Sequence, residues 1–146
     1  MGGRGVTGSV VSATLREALL RLATSVTSEP KGKVLFHHGD EARGLYLVCS
    51  GRVSVDLEPG SYAFPPRIAG PGAVLGLPAT VAGSPYSLTA EVLDKAEVAF
   101  VPRDLVVKAL ATNQELCFEV MQLLSSEISG TRNALRIIGS SREHRA

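Results

Sequence analysis

The order of apolar and polar positions divides the chain into three textures. From Ser12 onward, apolar residues fall at Leu15, Ala18, Leu19, Leu22, Ala23 and Val26, with Arg16, Glu17 and Arg21 on the other side. That spacing predicts a helix with one buried stripe, capped by the Ser12 hydroxyl and closed by Pro30 and Gly32. From Lys33 to Pro102 the period shortens. Runs at Val34–Phe36, Leu45–Val48, Val53–Leu57, Tyr62–Phe64, Val92–Leu93 and Val98–Val101 are separated by turn formers. The separators include Gly39-Asp40, Ser50-Gly51, Pro59-Gly60, Gly70-Pro71-Gly72, Gly83-Ser84-Pro85 and Asp94-Lys95. About eight short strands at such intervals predict a sandwich or closed barrel. Val53, Val55 and Leu57 alternate with Ser54, Asp56 and Glu58, which marks a strand with one wet face.

Beyond Pro102 the helical period returns. Asp104 is expected to cap a short helix to about Leu110, and Asn113 a long one to about Ile138. The long segment carries a heptad seam at Cys117, Met121, Leu124, Ile128, Thr131, Leu135 and Ile138. A second flank, Leu116, Val120 and Leu123, exists only in its first half. The flank is expected to pack on the barrel and the seam to meet the same helix of a second copy. The predicted fold is therefore mainly β with flanking helices: a β-jelly-roll barrel, an N-terminal helix and a long C-terminal helix. Residues 1–11 read as a flexible tail, 12–138 as the domain and 139–146 as a second tail.

Composition narrows the function classes. Hydrophobic residues make up 45% and charged residues 20%, ordinary for a globular domain. A formal charge of +1 supplies no broad basic field, so nucleic-acid binding by this chain alone is not expected. Arg132, Arg136, Arg142 and Arg145 read as a solvated end. Cys49 and Cys117, far apart inside apolar patterns, read as buried free thiols. No apolar run approaches the roughly 18 residues of a membrane span, and the first residues lack an apolar signal core. A soluble cytoplasmic protein is the expectation.

The stretch from Leu35 to Val53 (Leu35-Phe36-His37-His38-Gly39-Asp40, then Leu45-Tyr46-Leu47-Val48 and Ser50-Gly51-Arg52-Val53) resembles the first signature of cyclic nucleotide-binding domains. These are the sensor halves of catabolite-activator and fumarate-nitrate-regulator type proteins. The resemblance spans roughly residues 12–138 and implies a second signature, a short helical turn that cradles a cyclic phosphate. That stretch here is Gly72-Ala73-Val74-Leu75-Gly76-Leu77-Pro78-Ala79-Thr80, followed by Pro85-Tyr86-Ser87-Leu88-Thr89-Ala90. The family's ribose-binding glutamate is replaced by Leu77 and its phosphate-binding arginine by Tyr86. Each charge-assisted hydrogen bond is worth about 1.5–3 kcal/mol, so losing both removes roughly two to four decades of affinity. Pro78 also withdraws one backbone donor, and no Arg or Lys lies between Arg67 and Lys95.

The resemblance thus implies a regulatory sensor with weak or no cAMP or cGMP binding. Its pocket is expected at Leu75, Gly76, Leu77, Ala79, Tyr86, Ser87 and Thr89, with Thr131 near the purine position. Such regulators usually continue into a DNA-binding domain, which this sequence is expected to lack; either output passes to a protein partner or the chain is a fragment of a longer protein, and the sequence does not separate the two. Two rivals stand beside it. One is a dimerisation or interaction scaffold with a non-functional pocket. The other is a cupin-like barrel binding a metal or haem, suggested by His37 and His38, although strand neighbours point to opposite faces. No nucleophile elbow or phosphate-binding loop with its Lys is present, so catalysis is not expected.

Overall fold

The computed structural model describes residues 11–57 and 66–125. The predicted strand at Tyr62–Phe64, the second half of the long helix with Thr131, and the basic end all lie outside those residues. Within them the order is α1 (Ala13–Leu22), β1 (Ser25–Glu29), β2 (Val34–Phe36), β3 (Gly44–Asp56), β4 (Arg67–Ala69) and β5 (Val74–Leu75), then α2 (Leu77–Ala82), β6 (Thr89–Pro102) and α3 (Arg103–Thr112). A further helix, α4, occupies 114–125.

The expected helix starts where predicted, the Ser12 hydroxyl accepting from the Leu15 N–H at 3.1 Å. It ends earlier. Ser25–Glu29, assigned from sequence to the same segment, form a strand that pairs antiparallel with 96–100 of β6. Thr24, Val26 and Thr27 are β-branched, and the free edge of β6 gives their backbone a ladder. Val26 consequently stands 57% exposed instead of closing a helix stripe. Val11, assigned to the tail, is buried, and its N–H donates to the Gly72 carbonyl at 3.1 Å.

The mainly antiparallel sheet with flanking helices was legible; among the described residues the sheet does not close on itself. Six strands among the described residues make one sheet in the order β1-β6-β3-β4, with β2 also on β6 and β5 also on β3. The separate strands expected on either side of Ser50-Gly51 and of Asp94-Lys95 are continuous. β3 and β6 run past each other for their whole length, with the register slipping between Val48 and Val53. These turn formers make bulges, which bend a strand without ending it. Gly51 has φ +83°, and an added Cβ would meet the Lys95 carbonyl oxygen at 2.3 Å, so only glycine fits.

The bent sheet has two faces and each builds a core. Inside the fold lie Phe36, Val48, Val53, Val55, Ala69, Leu75, Tyr86, Val92 and Val98. On the other face Leu45, Leu47, Val74, Ala99 and Val101 meet Leu15 and Leu19 of α1, Val106 of α3, and Leu116 and Val120 of α4. Leu45, Leu47, Val98 and Val101 are at most 2% exposed, and each such side chain contributes about 1.5–3 kcal/mol. The flank expected to pack on the sheet does so. Cys49 and Cys117 are free but only half-buried, and burial pushes the Cys49 thiol upward.

Asn113 caps α4 as predicted, its side-chain oxygen accepting from the Leu116 N–H at 3.0 Å. Asp104 does not cap α3. Pro102 holds the cap position and Asp104 lies in the first turn, where a carboxylate still favours the positive end of the helix.

Candidate ligand site

Within the segment Gly72–Thr80 expected to cradle a phosphate, Gly76 leads into α2 with φ +81°. The helix is one and a half turns long and carries Pro78 in its first turn, as the sequence indicated. Strand β5 alternates across the sheet, so Val74 joins the helix-side core and Leu75 the interior. Ala79 and Tyr86 share the interior with Leu75. Leu77, expected on the same floor, instead turns to the helix side and is 2% exposed among Leu15, Val106 and Leu116. The position thus supplies packing beneath the helices, not a pocket wall.

Tyr86 dominates the remaining space. Its ring lies so close to Gly76 that an added Cβ there would sit 2.7 Å from the Tyr86 ring edge. Its hydroxyl donates to the Gly44 carbonyl, and its own N–H donates to the Asp40 carbonyl at 2.9 Å. The ring stacks on Phe36 with centroids 3.9 Å apart. Burial, with smaller contributions from Tyr46 and Asp40, pushes the Tyr86 phenol up to about 12. The other hydroxyls expected to converge with it do not. Thr89 accepts from the His38 N–H at 2.9 Å, and Ser87 is exposed.

Sequence order concealed one cation. Arg103, the first residue of α3, donates through Nε to the Thr80 carbonyl at 2.8 Å and lies against Gly83. It reaches α2 from the carbonyl end of that helix, where a cation is favoured and phosphate is not. Thr80 itself is wholly buried, its hydroxyl without a partner among the described residues.

Beside Tyr86 opens a cleft of about 380 Å³ lined by Leu35, Phe36, Tyr46, Tyr86 and Phe100, with Asp40, Glu41 and Arg43 also on its wall. It was not foreseen. Tyr46 and Phe100 meet because β3 and β6 pair them directly, a register the sequence alone does not show. The space between the sheet and the three helices is packed, with only about 10 Å³ left. His37 and His38 lie in a turn, His37 Nδ1 3.6 Å from the Asp40 carboxylate. No group of three or more metal-ligating side chains is assembled among the described residues.

Residues 27–113 match the family described as the cyclic nucleotide-binding domain. The chain belongs to that family. Among relatives of this cyclic nucleotide-binding domain is the anaerobic regulatory protein of Bacillus subtilis, 29% identical over 129 residues. That match covers 87% of this chain and 54% of the relative, so the chain spans about half the length of the curated relative it matches. The catabolite activator protein of Thermus thermophilus superposes with a TM-score of 0.70 at 21% identity, over 87% of this chain and 60% of that one. The sensor domain of the regulator DNR from Pseudomonas aeruginosa gives 0.64 at 18%, over 84% and 82%. One further structural neighbour is an EAL enzyme in its cAMP-bound form, of which this domain covers 32%. No helix among the described residues is long and apolar enough to cross a membrane.

Proposed function

We propose that this domain is a non-catalytic regulatory sensor or interaction module whose cassette takes cAMP and cGMP weakly or not at all. One observation carries the reading: the Tyr86 ring packs over Gly76 with its hydroxyl committed to Gly44, where the resemblance would place a phosphate and its arginine. A phosphate entering there would meet a phenol whose hydrogen is already given to Gly44, while Arg103 is engaged behind α2 and Arg43 is an exposed residue on the wall of the neighbouring cleft. An unpaired anion in such a setting costs several kcal/mol. Small-molecule sensing then falls to uncharged, apolar or positively charged ligands. Homodimerisation through 114–138 belongs to the same proposal, since Phe118 and Met121 stand 63% and 59% exposed on α4. Transfer of the signal to a protein partner completes it.

The test is a thermal-shift titration with cAMP and cGMP to millimolar concentration. No shift is expected. A saturable shift with a dissociation constant near or below 10 µM, about −6.8 kcal/mol, would sink the proposal.

A further inference from the structure

The cleft beside Tyr86 has a chemistry of its own. Its rings touch in series, Phe36 and Tyr86 buried at 5% exposure each and Tyr46 and Phe100 partly exposed to the cleft. Tyr86 stacks on Phe36 at 3.9 Å, Phe36 neighbours Tyr46 at 5.7 Å, and Tyr46 meets Phe100 at 5.1 Å with the planes tilted by 54°. Both phenol hydrogens are used inside the protein, Tyr86 on the Gly44 carbonyl and Tyr46 on the Leu35 carbonyl at 3.4 Å. The two oxygens can therefore only accept. Asp40 and Glu41 add two carboxylates against one guanidinium, Arg43. Burial is the main cause that raises both hydroxyls; Glu29 adds to it at Tyr46, while at Tyr86 the neighbouring Tyr46 adds more than Asp40 and the backbone at Gly44 and Arg43 acts the other way.

A volume of about 380 Å³ lies within the roughly 300–1,000 Å³ range of small-molecule sites. Aromatic faces present negative charge to whatever lies over them, and carboxylates at the wall reinforce it. An anion is repelled by both. The Asp40 carboxylate already accepts from the His37 N–H at 3.0 Å, so Glu41 is the wall carboxylate that an uncharged apolar molecule would leave without use. A cation without strong hydration, such as a quaternary or tertiary ammonium, satisfies rings and carboxylates together.

We propose that the cleft between Phe36, Tyr46, Tyr86 and Phe100 is a binding site for a small organic cation of the alkylammonium type. The inference rests on the reading of the domain as a binding module and names the ligand class. Choline and its uncharged isostere 3,3-dimethylbutan-1-ol are the probes, titrated into the full chain by calorimetry and saturation-transfer NMR. Choline is expected to bind in the millimolar range and at least about fivefold more tightly than the isostere, the order of a single cation–π contact. Phe100→Leu and Glu41→Gln should each weaken choline by a few-fold. Should Phe100→Leu misfold, Glu41→Gln, an exposed position, still gives the reading. Equal affinity for both probes, no binding at 50 mM on the order of weak-ligand limits, or choline binding unchanged in both variants would each overturn the proposal. None of these outcomes touches the cyclic-nucleotide titration, and a cyclic-nucleotide shift leaves the choline comparison standing.

Discussion

At the scale of single residues, Tyr86 does three things that usually require separate groups. It fills the space over Gly76, ties β2 to β3 through the aromatic stack and the Gly44 carbonyl, and forms one wall of the cleft. Tyr86→Phe keeps the ring and strands a buried carbonyl, so chemical denaturation should show a loss of about 1 kcal/mol. The phenol also sets an alkaline limit. Its pKa is pushed up to about 12 when folded, against an ordinary value of 10.0, so the native state holds the proton more tightly. Its contribution is then fully present below pH 10.0, and is lost as pH rises towards about 12. The stability difference between wild type and Tyr86→Phe should accordingly shrink across that window and be flat from neutral pH to 9, roughly one unit below the ordinary phenol pKa. Thr80 offers the opposite case. Its buried hydroxyl has no partner among the described residues, so Thr80→Val should be neutral or raise stability by up to about 1 kcal/mol in the same assay.

At the scale of elements, the signals that misled are informative. Gly51 and Asp94-Lys95 read as turns because glycine and charged pairs usually interrupt strands, yet here they fall opposite one another where β3 and β6 bend together. Local chemistry identified the irregularity, while only the pairing of two distant segments decides that the strands continue through it. The same holds for Ser25–Glu29, whose strand exists because β6 has an edge to offer. Caps were legible at Ser12 and Asn113, since a cap is a contact over three residues. The cleft was not, because Tyr46 and Phe100 lie 54 positions apart in the sequence and meet only through register. Two glycine substitutions separate bend from turn. Gly39→Ala meets nothing within 4 Å and carries only backbone strain at φ +93°, about 1–2 kcal/mol. Gly51→Ala adds a collision with the Lys95 carbonyl and should cost clearly more, or leave the protein unfolded when scanned by circular dichroism.

At the scale of the whole molecule, one bent sheet serves an interior core and a helix-side core, and α4 belongs to the second. Leu116 and Val120 face inward, and the Ser12 hydroxyl donates to the Glu119 carboxylate, so α1 and α4 are held to each other as well as to the sheet. Phe118 and Met121 are left outward. If they carry the dimer proposed above, Met121→Glu should convert a dimer to a monomer by light scattering with little change in melting temperature. A monomeric wild type would remove dimerisation from the proposal. Membership of the cyclic nucleotide-binding domain family was legible from the glycine spacing. The direction of Leu77 was not, because it depends on how α2 leaves β5.

Adjacent residues of β3 and β6 serve different cores, which limits how the gene can change length. Removing one codon between Gly44 and Val48 would exchange the occupants of both faces at once, putting Tyr46 under the helices and Leu45 into the cleft wall. Between Val48 and Val53 the ladder already slips, so an added or lost residue there shifts an existing bend and inverts nothing. Insertions and deletions among natural variants of this protein should therefore be excluded from the straight halves of these strands and gather at the bulge.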